Sequence, residues 1–237
     1  MQPPGYGGSS LNSVAKRVAE FGLLTALSIV LGLADRAIPL SALLGGAVPG
    51  IKLGLANTVL LYAVYLLDWR GCVLLMLAKV FLSGFIFGSL SAVIYSLSGG
   101  VLSLALMLVS RRNPPISALA AAMFAAASEA VLLSRSFPPR GSMLWVSVLT
   151  AAAFVFALSL FFLLRHHPSL NVMAVSMVGA TAHNIGQVLA AAAILRTPQL
   201  LYSYLPVLVG IGAAVGCLTG LVAQRVFHAL RLPVAEF

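Results

Sequence analysis

Long runs of apolar residues, separated by short polar or turn-forming stretches, make up most of this chain. Most of these runs approach the ~20 residues that an α-helix needs to cross a bilayer. Apolar and polar residues do not alternate along them, which favours helices over the strands of a membrane barrel. The runs cover residues 18–34, 51–67, 71–93, 99–110, 116–134, 143–164, 170–195 and 204–223. The pattern predicts an all-α fold, a polytopic membrane helix bundle with about eight spans.

The composition agrees with a protein embedded in lipid. Hydrophobic residues make up 61% of the 237 residues and charged residues 8%, and the mean hydropathy is +1.06. A soluble domain carries about 25% charged residues, so this chain has too little polar surface to fold in water. Residues 1–13 are rich in Gly, Pro and Ser, and we expect a disordered tail there. Residues 14–231 are predicted to form a single transmembrane helical domain.

The basic residues predict the orientation of the bundle. If eight spans alternate in direction, the cations divide unequally between the two sides of the membrane. One side receives Lys16, Arg17, Arg70, Arg111, Arg112, Arg165, Arg225 and Arg231, and the other receives Arg36, Lys52, Arg135, Arg140 and Arg196. The side with more cations is cytoplasmic by the positive-inside rule, so both termini are predicted to lie in the cytoplasm.

Acidic residues are scarce, which argues against several classes of enzyme. The five acids, Glu20, Asp35, Asp68, Glu129 and Glu236, lie far apart in the sequence. Magnesium-dependent diphosphate chemistry needs clustered carboxylates to hold the metal. The sequence also lacks the Walker A, HExxH and GxSxG patterns. We therefore expect no catalytic residues, no metal site and no cofactor, and any ATP hydrolysis would belong to a partner.

Lys79 is the most unusual residue, because it lies inside the apolar run 71–93. A lysine at the centre of a bilayer costs ~3 kcal/mol, so such residues usually face a bundle interior, a partner or a ligand. Ser83 shares its helix face by i, i+4 spacing. The alternative is a lysine that snorkels to the interface. The counter-charge of Lys79 is predicted to be either Glu129 or an anionic ligand.

A second candidate group lies on the preceding span. Lys52 follows a Pro-Gly pair in the first turn of the predicted helix, where a cation opposes the helix dipole. An anionic ligand bound at this helix N-terminus would offset the unfavourable interaction of Lys52 with the dipole. The alternative interpretation is that Lys52 simply lies at the membrane–water interface. Asn57 lies deeper on the same helix and is predicted to bond a ligand or another helix.

A third group lies on one side of a late span. His183 and Gln187 are four residues apart, and Asn184 and Gln187 are three apart, so the three side chains share one side of the helix. Facing lipid they would be costly. They are predicted to form either a ligand site or a polar clamp between helices. A lone His with no second His, Cys or acid nearby does not make a metal site.

Five short motifs, taken in order, resemble one protein family. They are Gly50–Asn57 (GIKLGLAN), Asp68–Gly71 (DWRG), Lys79–Gly88 (KVFLSGFIFG), Tyr95–Gly100 (YSLSGG) and Ala182–Gln187 (AHNIGQ). Together they resemble the Gx transporter family, also labelled heptaprenyl diphosphate synthase component I. The resemblance covers residues 14–112 and 169–225. It implies that residues 113–168, with two predicted spans, are an insertion into a core of six helices.

The family is similar to the substrate-binding S components of energy-coupling-factor transporters. This likeness implies a six-helix bundle that binds a small nutrient and joins a transmembrane T subunit and ATPase subunits. The residues implied to line or brace the ligand pocket are Lys52, Asn57, Lys79, Ser83, His183, Asn184 and Gln187. The small residues implied to dock the T subunit are Ala15, Ala19, Gly22 and Ala26, whose spacing gives the first helix a smooth face.

The leading functional hypothesis is therefore a substrate-binding transport subunit in a bacterial cytoplasmic membrane. Its ligand is expected to be a small anionic or amphipathic nutrient or cofactor precursor. The expected partners are membrane lipid, the T and ATPase subunits and the ligand itself, but not nucleic acid. The alternatives are a non-catalytic membrane subunit of heptaprenyl diphosphate synthesis and a scaffold of a membrane electron-transfer complex.

Overall fold

The computed structural model describes residues 8–37, 55–87, 90–113 and 171–230, together with 115, 119–120 and 123. Every regular element within these ranges is a helix. In chain order the helices are α1 (Gly8–Ala37), α2 (Asn57–Leu66), α3 (Trp69–Phe87), α4 (Leu90–Arg112), α5 (Asn171–Ile194), α6 (Gln199–Ser203) and α7 (Leu205–Ala229). A helix satisfies its own backbone hydrogen bonds, as lipid requires. The predicted all-α membrane bundle is confirmed.

Five of these helices, α1, α3, α4, α5 and α7, are long and apolar enough to cross a membrane. Helix α2 is a shorter apolar helix of 10 residues that falls within the predicted span 51–67. Asn57 is its first residue and follows a turn at residues 55–56, so the prediction that Asn57 lies deeper along the helix is wrong. The predicted spans 18–34, 170–195 and 204–223 fall on α1, α5 and α7. The predicted span 143–164 lies outside the described residues, and so does the predicted span 116–134 except for residues 119, 120 and 123. Nearly all of the proposed insertion 113–168 is therefore outside the described residues.

Three predicted boundaries differ from the structure. Helix α1 begins at Gly8, inside the stretch predicted as a disordered tail, because the Pro and Gly residues of that stretch all lie at or before Gly8. The predicted spans 71–93 and 99–110 are instead helices Trp69–Phe87 and Leu90–Arg112. The predicted span 99–110 starts at the pair Gly99 and Gly100. In the structure both are buried within α4, where they allow close packing instead of ending the helix.

Helix α5 is the most buried span. Within its membrane window 72% of the residues are buried, whereas the other four spans have between 22% and 39% buried. Helices α4 and α7 pack against it through glycines. A Cβ added to Gly186 would lie 2.8 Å from the Cα of Gly99 on α4, and one added to Gly216 on α7 would lie 2.6 Å from the Cα of Met177. Small residues at these crossings let the helix backbones approach each other closely.

Two side chains stabilise the helix ends at one end of the bundle. The Asp68 carboxylate accepts a hydrogen bond of 3.2 Å from the Gly71 backbone N–H in the first turn of α3, which is the usual role of an N-cap aspartate. The Arg111 guanidinium donates to the Val64 carbonyl in the last turn of α2 and lies 5.3 Å from the centre of the Tyr65 ring. The Asp68–Gly71 motif thus begins a helix.

Arg196 follows the C-terminus of α5 in a left-handed backbone conformation, with φ of 50°. The Thr197 N–H donates a hydrogen bond of 3.1 Å to the Ala192 carbonyl. This bond is typical of a helix C-terminus in which the residue with the left-handed backbone is usually glycine.

We expect Arg196→Gly to raise the free energy of unfolding by about 1 kcal/mol, because glycine removes the steric cost of a Cβ in the left-handed conformation. Reversible unfolding in mixed micelles would measure it. Arg196→Ala keeps the Cβ, so an equal gain in that variant would contradict the explanation.

Candidate functional site

A small cavity lies inside the bundle, between α1, α3, α4, α5 and the residue that precedes α2. Its lining residues are Gly32, Asp35, Ala56, Lys79, Val80, Ser83, Ser96 and His183. The cavity leaves about 20 Å³ for the centres of water-sized molecules, which is enough for about one water. In this conformation the site is therefore nearly closed.

The helices bring these side chains to the same half of the bundle. Asp35 lies near the C-terminus of α1 and Ala56 lies just before α2, so both mark the same end. Lys79 and Ser83 are one helical turn apart on α3 and both reach the cavity. Asp68 and Arg111 lie at the opposite end of the helices. The cavity therefore occupies the half of the bundle that is predicted to face outward.

A chain of polar contacts holds Lys79 inside the bundle. Its ammonium group donates a hydrogen bond of 3.0 Å to Oδ1 of Asn57 on α2. The Asn57 amide nitrogen lies 3.5 Å from the Ser103 hydroxyl on α4. That hydroxyl donates to the Gly179 carbonyl on α5 at 2.8 Å. The lysine amine is thus bound to a buried amide of a neighbouring helix, and the contacts link four helices.

Asp35 is the site residue that sequence reasoning missed. It lies one residue beyond the predicted span 18–34, outside every predicted helix. In the structure Asp35 is 2% exposed and lines the same cavity as Lys79. The signal that singled out Lys79 is weaker for Asp35, because Asp35 is the last residue of the span Val14–Asp35, whereas Lys79 lies well inside an apolar run. Ser96, within the Tyr95–Gly100 motif, is a second lining residue that was not predicted.

The three polar residues of the late span do not all reach the cavity. His183 lines it and is 4% exposed. Gln187 lies one turn along α5 with its amide nitrogen against Nε2 of His183, so it braces the ring. The Asn184 amide donates a 2.7 Å hydrogen bond to the Leu208 carbonyl on α7. Asn184 thus lies on a helix contact, the geometry of the polar clamp considered above.

The Tyr95–Gly100 and Ala182–Gln187 motifs pack directly against each other. A Cβ added to Gly99 would lie 2.6 Å from the His183 carbonyl. The Ser98 hydroxyl donates to the Gly186 carbonyl at 3.0 Å. The two motifs therefore form one close helix crossing, and that crossing sets the position of His183 at the cavity wall.

The remaining predicted residues lie elsewhere. Lys52 is outside the described residues, and so is Glu129, one proposed counter-charge for Lys79. The small residues Ala15, Ala19, Gly22 and Ala26 are all exposed on α1, and no atom approaches within 4 Å of a Cβ placed on Gly22. In the part of the chain that the structure describes, no three His, Cys, Asp or Glu side chains are grouped closely enough to hold a metal ion.

These features define a polytopic helical membrane protein with a small, largely apolar cavity inside one half of its bundle, where a few polar side chains meet. The chain belongs to the heptaprenyl diphosphate synthase component I family, whose family model matches residues 24–132 and 131–226. The family resemblance indicated by the five motifs is thereby confirmed. No curated protein and no solved structure matches the chain.

Proposed function

We propose that this protein is a membrane subunit that binds a small polar or amphipathic compound in the cavity between α1, α3, α4 and α5. The observation that carries the proposal is the meeting of Asp35, Lys79 and His183, from three helices, at one cavity. Each of these groups is costly at membrane depth. A binding site gives a reason for placing all three together, because a few convergent polar groups in an otherwise apolar cavity are typical of ligand sites.

The nearly closed cavity implies that the bundle opens to admit a ligand larger than water. Gly32 and Asp35, which form the α1 wall, belong to a span of which only 22% is buried. We propose that binding moves α1 relative to the buried helix α5. Lys52, in the Gly50–Asn57 motif, is proposed as a further ligand contact. Asn184 and Gln187 are proposed to brace the site and not to touch the ligand.

We also propose that the protein works with partner subunits in the manner of an S component. The exposed face of Ala15, Ala19, Gly22 and Ala26 on α1 supports this, because small residues allow a partner helix to approach closely. On this proposal a T subunit docks there and ATPase subunits supply the energy. The ligand then crosses the membrane while bound to the complex.

The family description supports a second candidate function. If this chain is a component of heptaprenyl diphosphate synthase, it would be the membrane protein that assembles with a catalytic partner, and that partner would make a long isoprenoid. In that role the cavity would hold part of an amphipathic intermediate or product. The chain would then be a non-catalytic subunit, since the clustered carboxylates of magnesium-dependent diphosphate chemistry are not recognisable in its sequence.

The decisive experiment is mass spectrometry of small molecules that copurify with the protein in lipid nanodiscs. We expect one compound to be enriched with the wild type and reduced at least about tenfold by Lys79→Met, because the ammonium group lines the cavity and one opposite charge is worth that much. Lys16→Met is the matched control, since Lys16 is exposed near the start of α1. Absence of any enriched compound, or equal loss in both variants, would count against ligand binding.

Affinity purification from native membranes distinguishes the two candidate functions. Recovery of a T subunit with an ATPase pair is expected for transport. Recovery of a prenyl synthase subunit, with chain elongation from isopentenyl diphosphate, an allylic diphosphate and magnesium, would instead favour the synthase component. A ligand-binding site is expected for both candidate functions. Affinity purification therefore tests the identity of the partner, and the mass spectrometry described above tests ligand binding.

A further inference from the structure

An open groove of about 400 Å³ lies on the surface of the bundle, where α5 is followed by α6. Its lining residues are Leu189, Ala192, Ala193, Arg196, Pro198 and Leu201. None of them lines the internal cavity described above, so the two spaces are separate. The volume of the groove falls within the usual range for small-molecule sites. Among the described lining residues, only Arg196 carries a charge.

The groove has an apolar part beside the membrane interior and a charged end where the span stops. Leu189, Ala192 and Ala193 share one face of α5 by their spacings of three and four residues. Leu189 is 48% exposed and lies five residues before the end of the span at Ile194, which is ~8 Å at helical rise. Arg196 follows that end. A molecule in the groove would therefore meet the guanidinium at the membrane surface and apolar side chains below it.

Two observations indicate that the Arg196 side chain has a use of its own. It is exposed, residues 171–230 contain no Asp or Glu, and no ion pair among the described residues involves Arg196. Its backbone is left-handed, with φ of 50°, at a position that usually has glycine. Residues other than glycine that are held in this conformation cluster at functional sites. The guanidinium is thus available to an anion from outside the described chain.

We propose that this groove binds an anionic phospholipid of the surrounding bilayer, with the phosphate on Arg196 and part of one acyl chain against Leu189 and Leu201. Guanidinium donors match phosphate oxygens in a bidentate arrangement. A free phosphate would use only the arginine, and a purely apolar molecule would leave the arginine without a partner. A phospholipid uses both parts of the groove. An anionic headgroup is favoured over a zwitterionic one, because the ammonium group of the latter is repelled by Arg196.

Native mass spectrometry of the delipidated protein tests the headgroup contact. The protein is mixed with equal amounts of phosphatidylglycerol and phosphatidylcholine that carry identical acyl chains. Wild type is expected to retain phosphatidylglycerol about fivefold more than phosphatidylcholine, the factor that one cation near a membrane surface supplies. Arg196→Gly is expected to lose this preference although it relieves the backbone strain. Arg225→Gln is the matched control, since Arg225 is an exposed arginine near the C-terminus of α7 and does not line the groove.

Two further variants separate the guanidinium from the backbone and the apolar part from the charge. Arg196→Gln keeps the Cβ in the left-handed conformation and is expected to lose the preference without any gain in stability. Ala193→Phe fills the groove from an exposed position and is expected to lower the retention of both lipids several-fold while Arg196 remains.

Four results would overturn the inference. The first is equal retention of the two lipids by the wild type. The second is a preference that survives both substitutions of Arg196, which is the result expected if the arginine only interacts with the C-terminal carbonyls of α5. The third is an equal loss of preference in Arg225→Gln, as expected for a general effect of surface charge. The fourth is unchanged lipid retention in Ala193→Phe, as expected if another segment of the chain fills the groove.

Discussion

Gly186→Ala is expected to lower the free energy of unfolding of the bundle by about 2–3 kcal/mol, the upper part of the usual cost of overpacking. The added methyl carbon would lie 2.8 Å from the Cα of Gly99 and 2.8 Å from the Ser98 carbonyl oxygen. Both obstacles are backbone atoms of α4, so no side-chain rotation relieves the clash. The helices must separate, and His183 moves with α5. Denaturant titration in mixed micelles would measure the loss.

Gly22→Ala is the matched control for this prediction. Gly22 is also a helical glycine in a membrane span, but no atom lies within 4 Å of a Cβ placed there. Alanine is a better helix former by up to about 1 kcal/mol, so this change is expected to be neutral or stabilising. If both substitutions changed the stability equally, the close crossing of α4 and α5 would not be the reason that a side chain at position 186 is unfavourable.

Arg111→Ala is expected to destabilise the protein by about 2–4 kcal/mol. The guanidinium donates to the Val64 carbonyl at the end of α2, where helix carbonyls lack an intrahelical donor. A hydrogen bond from a charged group contributes about 1.5–3 kcal/mol. The contact with the Tyr65 ring, at 5.3 Å, adds about 0.5–1 kcal/mol. The same unfolding titration would measure the effect, and Arg111→Lys is expected to recover part of it.

Arg112→Ala separates this specific contact from the general effect of a basic residue at the membrane surface. Arg112 is the next residue of α4 and is exposed. Its removal takes away the same charge at the same end of the bundle, so a change below about 0.5 kcal/mol is expected for a surface position. Equal destabilisation by both substitutions would mean that interfacial charge, and not the Val64 contact, holds this end together.

Lys79 brings an ammonium group to the wall of the cavity. Sequence reasoning allowed an interfacial lysine as the alternative, yet the amine bonds Asn57 at 3.0 Å. The open question was its counter-charge, with Glu129 and an anionic ligand as the choices. Asp35 enters as a third group, because it reaches the same cavity from α1.

The candidate site was predictable only in part. Lys79, Asn57 and His183 were identified because each is a polar side chain within an apolar run, where the energetic cost itself is the signal. Asp35 and Ser96 were missed because each lies between two predicted spans, in the gaps 35–50 and 94–98. Asn184 shares a helix side with Gln187, but a rotation along α5 directs it to the Leu208 carbonyl on α7. Spacing along one helix does not tell which neighbour each side chain meets.

The sequence by itself determined that the chain is an all-helical membrane bundle, because long apolar runs with few charges have no other stable arrangement in lipid. It also determined the family, through motifs whose order is specific. Only the tertiary structure decided which charges share a cavity. Asp35, Lys79 and His183 lie on three helices far apart in sequence. Of the three, His183 is positioned by the close glycine crossing of α4 and α5. Helix packing is a property of facing surfaces that periodicity along one helix does not contain.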